Sequence, residues 1–145
     1  MDATIFNIGV CEMSADLFVQ SVRNGYDSKD FIEKLMNSET AIYLYDKADT
    51  QMWLGSNYII QTLEQEVSIE KGVQYPEDLM SWIGYLFACW NLSYENDMPK
   101  DMIAQAPVDT LVLTYQGLHV IPFEDAIKEL KNLKATLLFM STTTH

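Results

Sequence analysis

The sequence predicts an all-α, compact single-domain bundle of about six to eight helices around one central apolar helix at 77–95. Three observations predict it. In EDLMSWIGYLFACWNLSYE, apolar residues recur at Leu79, Trp82, Ile83, Leu86, Phe87, Trp90 and Tyr94. That spacing gives a helix a wide buried face, and two of the chain's three tryptophans lie in it. The four prolines, mostly at helix starts, suit an array of short helices around a long one. Finally, 145 residues with 48% apolar and 21% charged content is the size and make-up of one globular domain.

The elements follow in order. Residues 1–12 are weakly patterned and read as a short extended arm. Ser14 reads as an N-cap before ADLFVQSVRN, with Gly25 just past the helix end. Asp27-Ser28 opens KDFIEKLMN, whose inward face is Phe31, Ile32 and Leu35. Ser38 opens a third helix through Ala41, Ile42, Leu44 and Tyr45, although IYLY is also strand-prone. Lys47 to Gln51 is a polar loop. Gly55-Ser56 precedes a helix with Ile59, Ile60 and Leu63 on one face. Ser68 to Tyr75, with Gly72, is a connector. Pro76 takes the first position of the central helix, where Glu77 and Asp78 complement its dipole. Pro99 opens KDMIAQA, and Pro107 opens VDTLVLTYQG, closed by Gly117, although TLVLTY could form a strand. Pro122 opens FEDAIKELKNLK. Beyond it, 133–145 reads as a tail whose LLFM either docks back on the core, the favoured reading since exposed apolar ends invite aggregation, or covers another chain.

Charge excludes one class of function. Twenty-one acidic against nine basic residues leave a net charge of −12 and no basic stripe for a nucleic-acid backbone. Such a surface suits a basic protein partner. The N-terminus lacks the basic and apolar regions of a signal peptide, and the central helix is too short for a bilayer. The expected location is cytoplasmic, without membrane contact.

No catalytic or metal-binding constellation stands out. The two histidines, His119 and His145, include the terminal residue, and His119 reads as a turn histidine rather than a triad member. Cys11 and Cys89 form no CxxC, and Cys89 reads as a small buried hydrophobe. Asp46, Asp49 and Glu39 read as solvated charges. There is no HExxH, EF-hand ladder or Gly-rich phosphate loop, so neither metal nor cofactor is expected. Gly84 and Ala88, four apart, mark close helix packing.

The WIGYLFACW stretch at 82–90 resembles the core helix of a family of small, functionally uncharacterised bacterial proteins. Its pattern is W-I-G-Y-[IL]-[YF]-x-x-W. Gly55-Ser56, Pro99 to Ala106 and HVIPFEDAIKEL at 119–130 match the segments around that helix, so the resemblance spans about 28–131. It implies a non-enzymatic accessory or antitoxin-like protein, since some members are encoded beside toxin-like, including ADP-ribosyltransferase-like, genes. It carries over no catalytic residue, and ATLLFMSTTTH falls outside it.

The expected function is therefore a non-enzymatic protein-binding module of bacterial or phage origin, partnered by another protein that is basic or encoded nearby. A homodimer is a further option. Eight tyrosines favour interfaces, and the expected contact residues are Tyr43, Tyr45, Trp53 and Tyr58. An alternative is a nucleic-acid mimic that inhibits a nuclease, with carboxylates at Glu64, Glu66, Glu70, Glu77 and Asp78, or at Glu95, Asp97 and Asp101. An enzyme ranks third, needing a buried carboxylate near Tyr85 or Tyr115.

Overall fold

The computed structural model describes residues 3–45 and 53–143, with side chains over 7–45 and 53–140. The described residues form eight α-helices and no strand: α1 (Ala3–Arg23), α2 (Ser28–Met36), α3 (Glu39–Tyr45), α4 (Ser56–Glu66), α5 (Glu77–Ser93), α6 (Pro99–Gln105), α7 (Val108–Leu118) and α8 (Phe123–Thr143). Both strand-prone stretches are helical, IYLY in α3 and TLVLTY in α7. Packing against other helices overrides β-propensity in short segments.

Local chemistry sets most boundaries. Gly25, at φ 79°, ends α1. Its N–H donates to Val22 O at 2.9 Å and the Tyr26 N–H to Ser21 O at 3.2 Å, the paired bonds of a left-handed helix stop. The Asp27 side chain caps α2 by accepting from Asp30 N at 2.9 Å. Ser38 Oγ accepts from Ala41 N at 3.1 Å and donates to Leu35 O at 2.6 Å, joining α2 to α3. Pro76 and Pro107 occupy the N-cap positions of α5 and α7, and Pro99 is the first residue of α6. Gly117 lies inside the last turn of α7 rather than closing it.

Helix α5 is the axis of the core. Nine of its residues are buried, from Leu79 to Trp90, and Ile83, Leu86, Phe87, Ala88 and Trp90 are fully enclosed. Phe87 packs on Phe18 of α1 at 6.2 Å between ring centres, and Phe18 meets Phe31 of α2 edge-on at 5.5 Å. Trp82 meets Tyr115 of α7 at 5.4 Å, and Tyr85 stacks on Phe123 of α8 at 4.5 Å. One helix thus gathers aromatic partners from three others, and a fourth, α2, joins through Phe18.

Its closest neighbour is α1, which runs antiparallel to it. Arg23 pairs with Glu77, Ser14 with Gly84 and Cys11 with Cys89, so rising numbers on one helix meet falling numbers on the other. At the crossing, a Cβ added to Gly84 would stand 2.7 Å from Ser14 O and 3.0 Å from Ala15 Cα. Only glycine admits that approach, so the expectation of close packing holds at Gly84, and Ala88, about one turn on, is fully buried.

Two sequence expectations need correction. The 1–12 arm is helical from Ala3, with Val10 and Cys11 buried, and Ser14 is a fully buried mid-helix residue rather than an N-cap. Its hydroxyl donates to Gly84 O at 2.7 Å, so a residue type that often starts helices here ties two of them together. The tail at 133–145 is no loose docked segment, since α8 continues to Thr143. Nothing between Lys131 and Met140 is a helix breaker. Leu137, Leu138, Phe139 and Met140 stay 52–68% exposed instead of docking on the core.

Candidate functional site

Among the described residues, two places that combine exposed or cleft-lining apolar surface with reactive or polar groups bear on function. The first is the junction of α3 and α4. The structure brings both ends of this connection onto α1. At one end, Tyr45 OH lies 3.0 Å from Ser14 Oγ; at the other, the Ser56 hydroxyl donates to the Asp16 carboxylate. Between them, Trp53 rests its six-membered ring over Gly9, whose added Cβ would meet Trp53 Cζ3 and Cη2 at 3.5 and 3.1 Å.

The four expected contact residues therefore divide. Tyr43 is 51% and Trp53 45% exposed, and Tyr58 is half-buried against the core. Tyr45 is the correction: it is 5% exposed, so it cannot anchor a partner. Its phenol closes a buried triad with Ser14 and the Gly84 carbonyl, and burial pushes its proton affinity far up. Two residues missed in the sequence join the exposed set, Ile42 at 42% and Leu54 at 70%. Leu54 adjoins Trp53, and Ile42 precedes Tyr43, so the apolar signal was a pair on each side of the connection. The loop charges Asp46 and Asp49 lie outside the described residues.

The second place is a cleft of about 420 Å³ between the first half of α1, the C-terminal half of α5 and the start of α8. Ile8, Tyr85, Leu92 and Phe123 give it apolar walls, and Cys11 and Cys89 both line it. The two thiols are free and their sulfurs are 3.4 Å apart. The Cys89 S–H lies within hydrogen-bond reach of Cys11 Sγ. That contact holds the Cys11 thiol below its ordinary range and Cys89 well above it, with burial adding to the rise at Cys89.

Several of the acidic groups are engaged in the fold, five of the eight mimic candidates among them. Glu66 accepts from Glu39 N at 2.7 Å and from Thr40 N and Oγ1 at 3.0 and 2.7 Å, capping α3 from a distance. Its burial raises the carboxyl, but those three donors outweigh it and hold the group below its ordinary range. Glu64 accepts from the Tyr26 hydroxyl, and Glu77 pairs with Arg23 at 3.2 Å. One oxygen of Asp97 accepts from Lys131 at 2.7 Å, Trp90 Nε1 at 2.8 Å and Gln105 Nε2 at 3.1 Å. Asp101 accepts from Met98 N at 2.9 Å.

Groups that would carry metal or acid–base chemistry lie apart. His119 caps the end of α7, exposed, with Nδ1 2.7 Å from Tyr115 O and its ring stacked on Tyr115 at 4.4 Å. The buried polar residues among those described are five serines and one threonine, so no carboxylate is buried beside Tyr85 or Tyr115. No cluster of three or more metal-ligating side chains occurs among the described residues. None of the described helices is long and apolar enough to cross a membrane. Comparison of the chain with protein-family models, curated proteins and solved structures finds no match.

Proposed function

We propose that this chain is a non-enzymatic protein-binding module, an accessory or antitoxin-like partner of a basic effector encoded nearby in a bacterial or phage genome. The observation that carries the reading is the α3–α4 junction. There Ile42, Tyr43, Trp53 and Leu54 expose large apolar surface on a chain of net charge −12. Aromatic side chains supply affinity at interface centres, and an acidic surround favours a basic partner. The resemblance of the central helix to a family of uncharacterised bacterial proteins, some encoded beside toxin-like genes, points the same way.

The nucleic-acid mimic is the weaker reading. A mimic presents a row of solvated carboxylates at phosphate-like spacing, whereas Glu64, Glu66, Glu77, Asp97 and Asp101 each hold an internal donor.

Co-expression with the products of the flanking genes, followed by calorimetric titration, tests the proposal. A basic neighbour should bind at sub-micromolar Kd. Trp53→Ala and Leu54→Asp should each weaken binding by at least tenfold, as losses of about 2 kcal/mol at hot spots do, with the helical circular dichroism unchanged. If no flanking product binds at micromolar concentration, the reading fails.

A further inference from the structure

The proposed binding role makes no use of the cleft with the two thiols, and the geometry there stands independently of any partner. Cys11 and Cys89 are separated by 78 positions in sequence, yet their sulfurs are 3.4 Å apart. The reason is the antiparallel seam. Ser14 and Gly84 bring the two backbones together, and Cys11 lies about one turn before Ser14 while Cys89 lies just over one turn beyond Gly84. A disulfide needs sulfurs at about 2.05 Å. At 3.4 Å the sulfurs are already in contact, so bond formation asks for a closure of only about 1.3 Å.

The surroundings fit a reacting pair rather than two inert core thiols. Cys11 is 3% and Cys89 partly exposed, but both face the cleft of about 420 Å³, so a small molecule reaches them through its mouth. The asymmetry of the pair assigns the roles. Cys11 is the more readily ionised sulfur, stabilised by the Cys89 S–H, while Glu12 beside it and burial oppose that ionisation. The same contact and its own burial raise the Cys89 thiol above its ordinary range.

We infer that Cys11 and Cys89 are a reversible redox pair, in which a small hydroperoxide entering the cleft converts the two thiols into a disulfide that joins α1 to α5. In the first step the Cys11 thiolate attacks one peroxide oxygen. The O–O bond breaks, Cys11 becomes a sulfenic acid, and the departing hydroxide takes up a proton as water. In the second step Cys89, losing its proton, attacks Cys11 Sγ. The S–S bond forms, the S–O bond breaks, and hydroxide again leaves as water. Two thiols and one hydrogen peroxide thus become one disulfide and two water molecules, with the two electrons passing from sulfur to the peroxide. A dithiol reductant reverses the change by exchange. The product closes a loop of 78 positions, just over half of the chain, which restricts the unfolded ensemble strongly. It also pins the first half of α1 to the seam.

The test uses the full-length reduced protein and hydrogen peroxide at near-stoichiometric dose. Intact mass should fall by about 2 Da, the two thiol hydrogens. Both free thiols should disappear together, and a non-reducing digest should yield one peptide pair joining Cys11 to Cys89. Dithiothreitol should restore the original mass. The oxidised form should melt on the order of 10 °C higher than the reduced form. Cys89→Ser should stop at a sulfenic acid trapped by dimedone at Cys11, while Cys11→Ser should trap none at the same dose. Both variants should remain folded, because serine is close in volume to cysteine. Intermolecular disulfide dimers, direct passage of Cys11 to sulfinic acid in the native chain, or thiols that stay unreacted while the protein is folded would each overturn the inference.

Discussion

Asp97 shows how much one surface-edge residue can govern. Its Oδ2 is the acceptor for the indole N–H of Trp90, a side chain with no solvent exposure, and for Lys131 and Gln105. Lys131 in turn lies over Tyr94 at 4.3 Å and Trp90 at 5.2 Å from the ring centres. Truncation to alanine orphans the buried Trp90 donor, so Asp97→Ala should cost about 1–3 kcal/mol in urea denaturation. Asparagine keeps an acceptor for Trp90 but loses the charge facing Lys131, and should cost less. The two variants also separate by pH. Partial burial raises the Asp97 carboxyl, but Lys131, Trp90 and Gln105 outweigh it and hold the group below its ordinary range. A depressed folded pKa contributes stability above the unfolded value of about 4, which is lost as pH falls through the folded value. The gap between native protein and Asp97→Asn should therefore narrow below pH ~4. A gap that stays constant down to pH ~3 would mean the ionised carboxylate contributes nothing.

At the scale of elements, the α1–α5 seam holds the helices in place, and glycine makes it possible. Adding a methyl at Gly84 places it 2.7 Å from a backbone oxygen that cannot rotate away. The overpacking cost of about 1–3 kcal/mol should exceed the helix-propensity gain of about 1 kcal/mol. Gly84→Ala should accordingly lower stability, and Gly84→Val lower it further. Gly117 is the control: it lies inside α7, with nothing within 4 Å of an added Cβ. Gly117→Ala should raise stability by up to about 1 kcal/mol. Thermal denaturation of the pair checks both signs, and equal effects would remove the seam argument. This seam also marks where the sequence was legible. Helix α5 announced itself because its buried residues are large and regularly spaced, and Gly84 and Ala88 were readable as contact residues. Helix α1 was hidden in its first half because Ser14, a residue type that often starts helices, sits in the middle of a buried stripe running through Val10, Cys11, Ser14, Leu17, Phe18 and Ser21. The Ser14 hydroxyl breaks the hydrophobic period there and is satisfied by Gly84 O and Tyr45 OH, partners that only the fold supplies. Tyr45 was misread for the same reason, since its polar tip suggests a rim while Ser14 makes it a core residue. The cysteine pair had no signal in spacing, because 78 positions of chain separate its members.

At the scale of the whole molecule, charge and apolar contact make separable contributions to binding. A net charge of −12 acts over a Debye length of about 8–10 Å and steers encounter with a basic partner. The exposed aromatics of the α3–α4 junction act only after contact. For the proposed module, raising salt should slow association markedly while dissociation changes little, because the long-range field is screened and the desolvated anchors are not. Trp53→Ala should show the converse pattern, with faster dissociation and an association rate that barely moves. A mimic behaves differently, since its affinity comes from displacing the counterions of a nucleic-acid groove. Its equilibrium constant falls with a log–log salt slope that counts the replaced phosphates. Stopped-flow measurements with the flanking gene product between about 50 and 200 mM salt distinguish the two. A slope steeper than about −6 in the equilibrium constant, with Trp53→Ala silent, would transfer the assignment to the mimic. The carboxylates already held by Lys131, Arg23, Thr40 and Tyr26 argue for the shallower slope. A carboxylate already accepting from a donor inside the fold is less free to take the place of a solvated phosphate.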